Sequence, residues 1–365
     1  FKNFSKTKNV LIVANCTWYL YNFRKDLLKE LKDKGYNLIL ISTIDVYYRK
    51  ISKYFIKTNK LFLLRGSENL LFEAFTILNL FYLYLKYRPT IVHHFTIKPS
   101  IYGGIISRVI GVKYVINHIT GLGPSFFNKR RKIKLLNKIF KPFYFYSFNN
   151  KRAINIFHNE DDKNTFIDKK LSIIQNNVVI RGSGVDTDYF KSDFVKKDFN
   201  REINILFPAR IIKEKGIIEL ISACEDLWIK DYKFVLNIAG EIDKSNKSSL
   251  QECNLDSLHK NKNINLIGKR NDMRDVYKMT DIVILPSWRE GLSKSLLEAS
   301  SMALPIITSD VPGCRDVIKN KYSGLLVPVR DKEQLKLAIK NFIDNPSIAI
   351  SYGFNARKST VKNFT

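Results

Sequence analysis

Two glutamates eight positions apart, Glu290 and Glu298, stand in the segment Ser287-Trp288-Arg289-Glu290-Gly291-Leu292-Ser293-Lys294-Ser295-Leu296-Leu297-Glu298, directly after the apolar run Ile282 to Leu285. Such a segment lies at the end of a buried strand, where α/β sheets form their sites. Gly291 permits a tight turn, and Ser293 can cap a helix that starts near Lys294. Amides at that helix start suit a diphosphate. Glu290 in the loop and Glu298 a turn or so into the helix, which rises about 1.5 Å per residue, can grip hydroxyls on either side of the phosphates of an extended ligand. The bland alternative is that acids near a helix start only oppose its dipole.

A second element weighs against the bland reading. Phe207-Pro208-Ala209-Arg210-Ile211-Ile212-Lys213-Glu214-Lys215-Gly216 also follows a buried strand and opens a helix. Arginine offers a planar fork and lysine a point charge, and both suit non-bridging phosphate oxygens. One such pair in a loop is usually solvated surface charge. Basic and acidic elements on equivalent strand ends of one half-chain are better explained by a nucleotide-sugar site.

With Arg181-Gly182-Ser183-Gly184-Val185-Asp186 and Gly324-Leu325-Leu326-Val327, the R-x4-K pair and the E-x7-E element resemble the retaining glycosyltransferases of family 4, which have the GT-B fold. The likeness runs over nearly the whole chain. Tyr21-Asn22-Phe23-Arg24, His94-Phe95-Thr96-Ile97-Lys98-Pro99 and Thr120-Gly121-Leu122-Gly123 bring it nearest to bacterial members that extend polyprenyl-diphosphate-linked oligosaccharides in surface polysaccharide or glycoprotein glycan assembly. The resemblance implies a UDP-sugar donor, with an N-acetylhexosamine or hexose transferred with retention and no metal or other cofactor required. It implies that Arg210 and Lys215 neutralise the leaving diphosphate, that Glu298 holds the donor ribose, and that Glu290 contacts the transferred sugar. Gly291, Leu292 and Ser293 join the donor-binding set as the loop entering the helix. Cationic stabilisation of a departing diphosphate is the electrostatic work that dominates such barriers. No side-chain nucleophile stands out as in a retaining hydrolase with paired carboxylates; attack on the same face, assisted by the leaving phosphate, is the family expectation.

The chain departs from the family in two places. Where many relatives carry a glycine-rich loop after the first strand, it has Asn15-Cys16-Thr17-Trp18-Tyr19-Leu20, which weakens the case for a donor-phosphate contact there. Where relatives often place a histidine before the glycine of the fourth strand's loop, Thr120 stands, with His118 two residues earlier. His118 is a catalytic candidate facing the cleft, with a core histidine as its alternative. His93 and His94, at a strand end, read as structural more readily than functional.

The elements that must position these residues form an α/β pattern. Apolar runs Val10 to Ala14, Leu38 to Ser42, Ile91 to His93 and Tyr114 to Ile116 read as buried parallel strands alternating with helices, and Gly35 stops the first helix. The pattern restarts with strands at Ile203 to Phe207, Phe234 to Ala239, Ile264 to Ile267, Ile282 to Leu285 and Pro305 to Thr308, and with helices at 216–224, 294–302 and near 331–343. Two doubly wound, Rossmann-like domains facing across a cleft are expected: an acceptor-binding one over 1–185, a polar linker over 186–201 and a nucleotide-sugar-binding one over 202–365. The length, 365 residues, favours two domains, and 45% hydrophobic with 26% charged residues is a globular composition.

The formal charge of +27 attracts polyanions. No helix-turn-helix, zinc spacing or RNA-binding signature appears, so nucleic acid is not the expected partner. Cys16, Cys224, Cys253 and Cys314 are scattered, as in a reducing compartment. No cleavable signal pattern opens the sequence, and Leu70 to Leu85, interrupted by Glu73, Thr76 and Asn79, reads as a core helix with Ser67 as its cap rather than a membrane span. Residues 127–152 hold nine Lys or Arg, no acid and interleaved apolar side chains such as Ile133, Leu136, Phe140 and Phe143. That composition suits an anionic membrane surface, with an amphipathic helix packed on the sheet as the bland alternative. A cytoplasmic enzyme peripheral on the inner face of the membrane is therefore expected. The competing readings are a nucleotide-sugar epimerase or a phosphorylase of the same fold, and a non-enzymatic basic adaptor for membrane or nucleic acid.

Overall fold

The computed structural model describes residues 8–63, 69–122, 141–191, 201–242, 249–250, 258 and 260–365. The chain divides into two compact units, Phe1–Ser183 and Gly184–Thr365. Their boundary falls inside the Arg181 to Asp186 run. Of the polar stretch that follows, Phe190 packs on the core of the second unit, and its carbonyl accepts from Ser301 Oγ at 2.7 Å. Residues 192–200 lie outside the described residues.

The first unit is built on parallel strands β1 (Asn9–Ala14), β2 (Asn37–Ser42), β3 (Lys57–Lys60), β4 (Ile91–Phe95), β5 (Tyr114–Ile119), β6 (Ala153–Phe157) and β7 (Asn177–Val179), in the order β3-β2-β1-β4-β5-β6-β7. In β1, Leu11 and Val13 pack on one face with Ile39, Ile41 and Val92, while Val10, Ile12 and Ala14 pack on the other with Leu38, Leu40 and Phe95. Burial on both faces is why these strands read as unbroken apolar runs. β3, of sequence Lys-Thr-Asn-Lys, has no apolar residue to betray it; it exists by hydrogen bonding to β2 at the sheet edge. β6 and β7 likewise escaped the sequence pattern.

The helix Leu70–Tyr87 packs on the core as expected, but with one face only. Its cap is Asn69, whose side chain accepts from the Leu71 and Phe72 amides. Ser67 lies outside the described residues. One face buries Leu80, Leu83 and Tyr84, but Leu71, Phe75, Leu78, Tyr82 and Leu85 form an apolar stripe on the opposite side, each 48% to 84% exposed. Among the described residues no helix is long and apolar enough to cross a membrane.

The second unit is a parallel sheet of β8 (Ile203–Phe207), β9 (Phe234–Ile238), β10 (Ile264–Leu266), β11 (Ile282–Leu285), β12 (Ile306–Ser309) and β13 (Leu325–Val327), ordered β10-β9-β8-β11-β12-β13. The helices Ile217–Trp228, Lys294–Ser301 and Lys332–Asp344 follow the sequence expectation within a few residues. A last helix, Pro346–Asn363, was not read from sequence; it buries only Ala349, Gly353, Ala356 and Thr360, too small a set to make an apolar stripe.

Candidate active site

In the second unit the strand order reverses between β8 and β11, which pair directly. The crevice outside the carboxyl ends of two such strands is where ligands bind in open parallel sheets. Both sequence motifs leave those ends, the basic one from β8 and the acidic one from β11. Their loops are fastened together. The Trp288 amide donates to the Glu214 carbonyl at 2.8 Å, and Ser287 Oγ donates to the same oxygen at 3.1 Å. Gly216, at φ +74°, passes so close to the β11 loop that a Cβ would lie 2.0 Å from the Pro286 carbonyl oxygen. A side chain at Gly240, just beyond β9, would sit 1.9 Å from the Ala209 carbonyl oxygen. The loop carrying Arg210 and Lys215 is thus held from both sides.

Lys215 Nζ donates to Glu290 Oε1, and the two side chains are 19% and 12% exposed. Half-buried charges need such pairing, because each alone would bear an uncompensated desolvation cost. Arg210 lies on the exposed part of the same loop. Ser293 caps the helix Lys294–Ser301 by accepting from the Leu296 amide. Glu298, on the second turn of that helix, takes a hydrogen bond from Tyr277 Oη at 3.3 Å and lies 3.8 Å from Lys294 Nζ. Burial raises the Glu298 carboxyl above the ordinary carboxylate value, with Lys294 and Tyr277 opposing.

The backbone of Glu290 and Gly291 leans on the turn after β12. A Cβ on Gly313, at φ +78°, would meet the Gly291 carbonyl oxygen at 2.6 Å and that of Glu290 at 2.8 Å. The Asp316 carboxylate accepts from the Gly313 amide at 3.0 Å. Tyr277, Gly313 and Asp316 escaped the sequence reading, because nothing in their spacing ties them to either motif. Lys294 was legible as an i, i+4 partner of Glu298.

Arg210, Lys215, Glu290, Gly291, Leu292, Ser293 and Glu298 all belong to the second unit, and His118 to the first. His118 sits inside β5 rather than in the loop after it, since that strand continues to Ile119. It is buried against Phe95 with ring centroids 4.3 Å apart, and its Nε2 is 3.1 Å from His93 Nδ1. Burial, with His93 adding to it, holds its pKa well below the usual histidine value, so it is neutral. His94 serves the fold: its nitrogens meet Asn117 Oδ1 at 2.7 Å and Tyr84 Oη at 2.6 Å. Asn117 in turn donates to Asn155, and Asn155 to Asn177, a polar ladder across three strands. Among the described residues no three His, Cys, Asp or Glu side chains converge as metal ligands would.

Comparison with known proteins follows the division into units. Residues 9–159 match the family model described as Glycosyl transferase 4-like, and residues 188–359 match that of Glycosyl transferases group 1. The chain is 25% identical over 362 residues to the N,N'-diacetylbacillosaminyl-diphospho-undecaprenol alpha-1,3-N-acetylgalactosaminyltransferase of Campylobacter jejuni, covering 94% of this chain and 91% of that one. It is 28% identical to the UDP-Gal:alpha-D-GlcNAc-diphosphoundecaprenol alpha-1,3-galactosyltransferase of Escherichia coli, over 79% of this chain and 75% of that one. The crystal structure of a glycosyltransferase from Rickettsia africae superposes with a TM-score of 0.74 at 19% identity, covering 99% and 95% of the two chains, a likeness of fold.

Proposed function

The chain belongs to the glycosyl transferases of the group 1 and 4-like families, with the GT-B fold, and we propose that it moves a sugar from a UDP-sugar to a polyprenyl-diphosphate-linked glycan with retention of configuration. The observation that carries the reading is the Lys215–Glu290 pair at the switch point of the second sheet, flanked by Arg210 and Glu298 on the same sheet edge. Two relatives that span most of the chain are named as transferases to diphospho-undecaprenol-linked sugars, which favours transfer over epimerisation and over a non-enzymatic adaptor.

In this reading Lys215 and Arg210 take up the charge that develops as the bond from the sugar C1 to the donor diphosphate breaks and the diphosphate leaves with the electron pair. The acceptor hydroxyl attacks C1 from the face being vacated, and its proton passes to the departing phosphate. Glu298 receives the ribose hydroxyls and Glu290 those of the sugar. Before the donor arrives, the Lys215–Glu290 pair keeps both groups aligned and stabilised in a half-buried place. Donor binding gives each a new partner, so little charge has to be desolvated anew. With the cations supplied by the chain, transfer continues in chelator. A screen of nucleotide sugars against a polyprenyl-diphosphate-linked sugar, read by mass shift, tests the assignment; donor turnover without acceptor would replace it with epimerisation or hydrolysis.

The enzyme docks on an anionic membrane through its N-terminal unit. The support is the stripe Leu71, Phe75, Leu78, Tyr82 and Leu85, together with Phe143, Phe145 and Tyr146, which are also exposed on the helix over 141–148. Apolar side chains presented this way bury at the headgroup boundary, and the net charge of +27 favours an anionic leaflet. Of the basic segment 127–152, residues 127–140 lie outside the described residues.

A further inference from the structure

The first unit has its own switch point, between β1 and β4, which pair with Ala14 beside Phe95. Phe95 lies beside His118, and Ile119 beside Phe157. The residues that follow, Asn15, Thr96 and His158, therefore share one sheet edge with the carboxyl ends of β1, β4, β5 and β6.

Arg24 stands at this edge, half-buried, between the helices Thr17–Phe23 and Lys25–Asp33. Its guanidinium donates to Tyr19 Oη at 3.2 Å and to His158 Nε2 at 3.0 Å, and lies over the Phe95 ring at 5.5 Å. Among the described residues no carboxylate pairs with it. A half-buried guanidinium surrounded by neutral groups carries an unbalanced charge, which an anion would balance.

Independent features at the same edge point to the same ligand chemistry. Thr96 opens the fourteen-residue helix Ile97–Ile110 at φ +76°, a region that β-branched residues rarely adopt and that clusters at functional sites. Its side chain makes no cap hydrogen bond, and its buried hydroxyl has no partner. Asn15 Oδ1, across the switch point, is buried and unpartnered as well. The site thus combines a helix start, an unbalanced guanidinium and a hydroxyl left over for a ligand, the ingredients that hold phosphate groups.

We propose that this edge is a second anion site, in which Arg24 and the amino end of the helix Ile97–Ile110, with the Thr96 hydroxyl, hold the diphosphate of the lipid-linked acceptor. His158, accepting from Arg24, keeps its own proton on Nδ1 and fixes the guanidinium; it is a positioning residue. Asn15 Oδ1 is left to accept from a hydroxyl of the sugar next to the diphosphate. The identity of the ligand rests on the acceptor reading above, whereas the existence of the anion site does not.

Inorganic pyrophosphate, titrated calorimetrically into the full chain saturated with UDP, separates the two. UDP occupies the donor site, so binding that remains reports on the first unit. The wild type is expected to bind one pyrophosphate, Arg24→Gln at least tenfold more weakly and Arg24→Lys in between. Thr96→Val, which leaves the Arg24 contacts with Tyr19 and Phe95 intact, is expected to weaken binding several-fold and guards against a fold defect in the arginine variants. No binding to the UDP-saturated wild type, or equal binding by wild type, Arg24→Gln and Thr96→Val, overturns the site. For the ligand, the measurement is the ratio of kcat/KM between a polyprenyl-diphosphate sugar and the phosphate-free alkyl glycoside of the same sugar. Arg24→Gln should reduce that preference at least tenfold. An equal loss on both acceptors would make Arg24 structural, and no transfer to either by the wild type would sink the acceptor reading while the titration still decides the anion site.

Discussion

Lys215 Nζ and Glu290 Oε1 form an ion pair although 75 residues separate them in sequence. The pair joins the loops leaving β8 and β11, and it brings together the basic and the acidic motif that the sequence presents separately. It also means that neither residue can be removed without exposing the other's charge. Lys215→Ala is expected to lower turnover about 10²–10³-fold, the usual cost of losing one donor to a developing anion. Glu290→Gln should lower turnover while leaving nucleotide affinity nearly intact. The double variant should melt higher than the sum of the two single losses implies, because it leaves no unpaired charge. Additive losses in melting temperature would show that the pair does not couple.

Arg210 lies on the exposed part of its loop, so its removal carries little packing cost. Arg210→Ala is expected to keep the fold and lose about 10²-fold or more in kcat with a UDP-sugar donor. Turnover within a factor of a few of wild type would take Arg210 out of the site.

Glu298 and Tyr277 yield a pH test. Because burial raises the Glu298 carboxyl, its ionised form is penalised in the folded state. That penalty is absent below the ordinary glutamate pKa of about 4.3 and complete above the raised value. Glu298→Gln should therefore melt at or above the wild type at neutral pH, with the gap closing as the pH falls toward the ordinary value, while UDP affinity drops about tenfold or more. A lower melting temperature at pH 7 contradicts the burial argument, and unchanged UDP affinity removes Glu298 from the ribose.

The N-terminal unit should be acid-labile. Burial pushes His93 and His158 down to about 3 and His94 to about 4, and holds His118 well below its usual value. The unfolded chain binds protons near pH 6.5 that the folded unit refuses, so stability is full above that value and is lost as the pH falls through it toward the depressed values. Each unit of depression is worth about 1.4 kcal/mol, so the loss between pH 7 and 4 should amount to several kcal/mol. Thermal melts across that range should show the transition of this unit falling; a flat midpoint would mean that water reaches the cluster.

The apolar stripe on Leu70–Tyr87 predicts where membrane binding fails. Leu71→Glu, Phe75→Glu and Leu78→Glu combined replace exposed side chains, so the fold should persist, and each lost insertion is worth about 1.5–3 kcal/mol. Binding to anionic vesicles should fall at least 10²-fold. If vesicle binding survives in this variant, the stripe is not what touches the bilayer.

The sequence by itself determined the alternation of strand and helix in both halves, since strands buried on both faces must be apolar throughout, as Val10 to Ala14 and Ile282 to Leu285 are. It also determined the two donor motifs, because charge types and their spacing from a strand end are local facts. It could not see β3, whose Lys-Thr-Asn-Lys has no apolar signal and which pairs through the backbone alone. Nor could it tell which face of Leu70–Tyr87 is covered, because a helix apolar all round has no period to show its buried side. Tertiary structure alone decided that Lys215 meets Glu290, that Tyr277 steadies Glu298, and that Arg24, Thr96 and His158 gather at one edge. Those relationships follow from strand order: a parallel sheet whose order reverses at its middle brings together the carboxyl ends of strands that are distant in sequence.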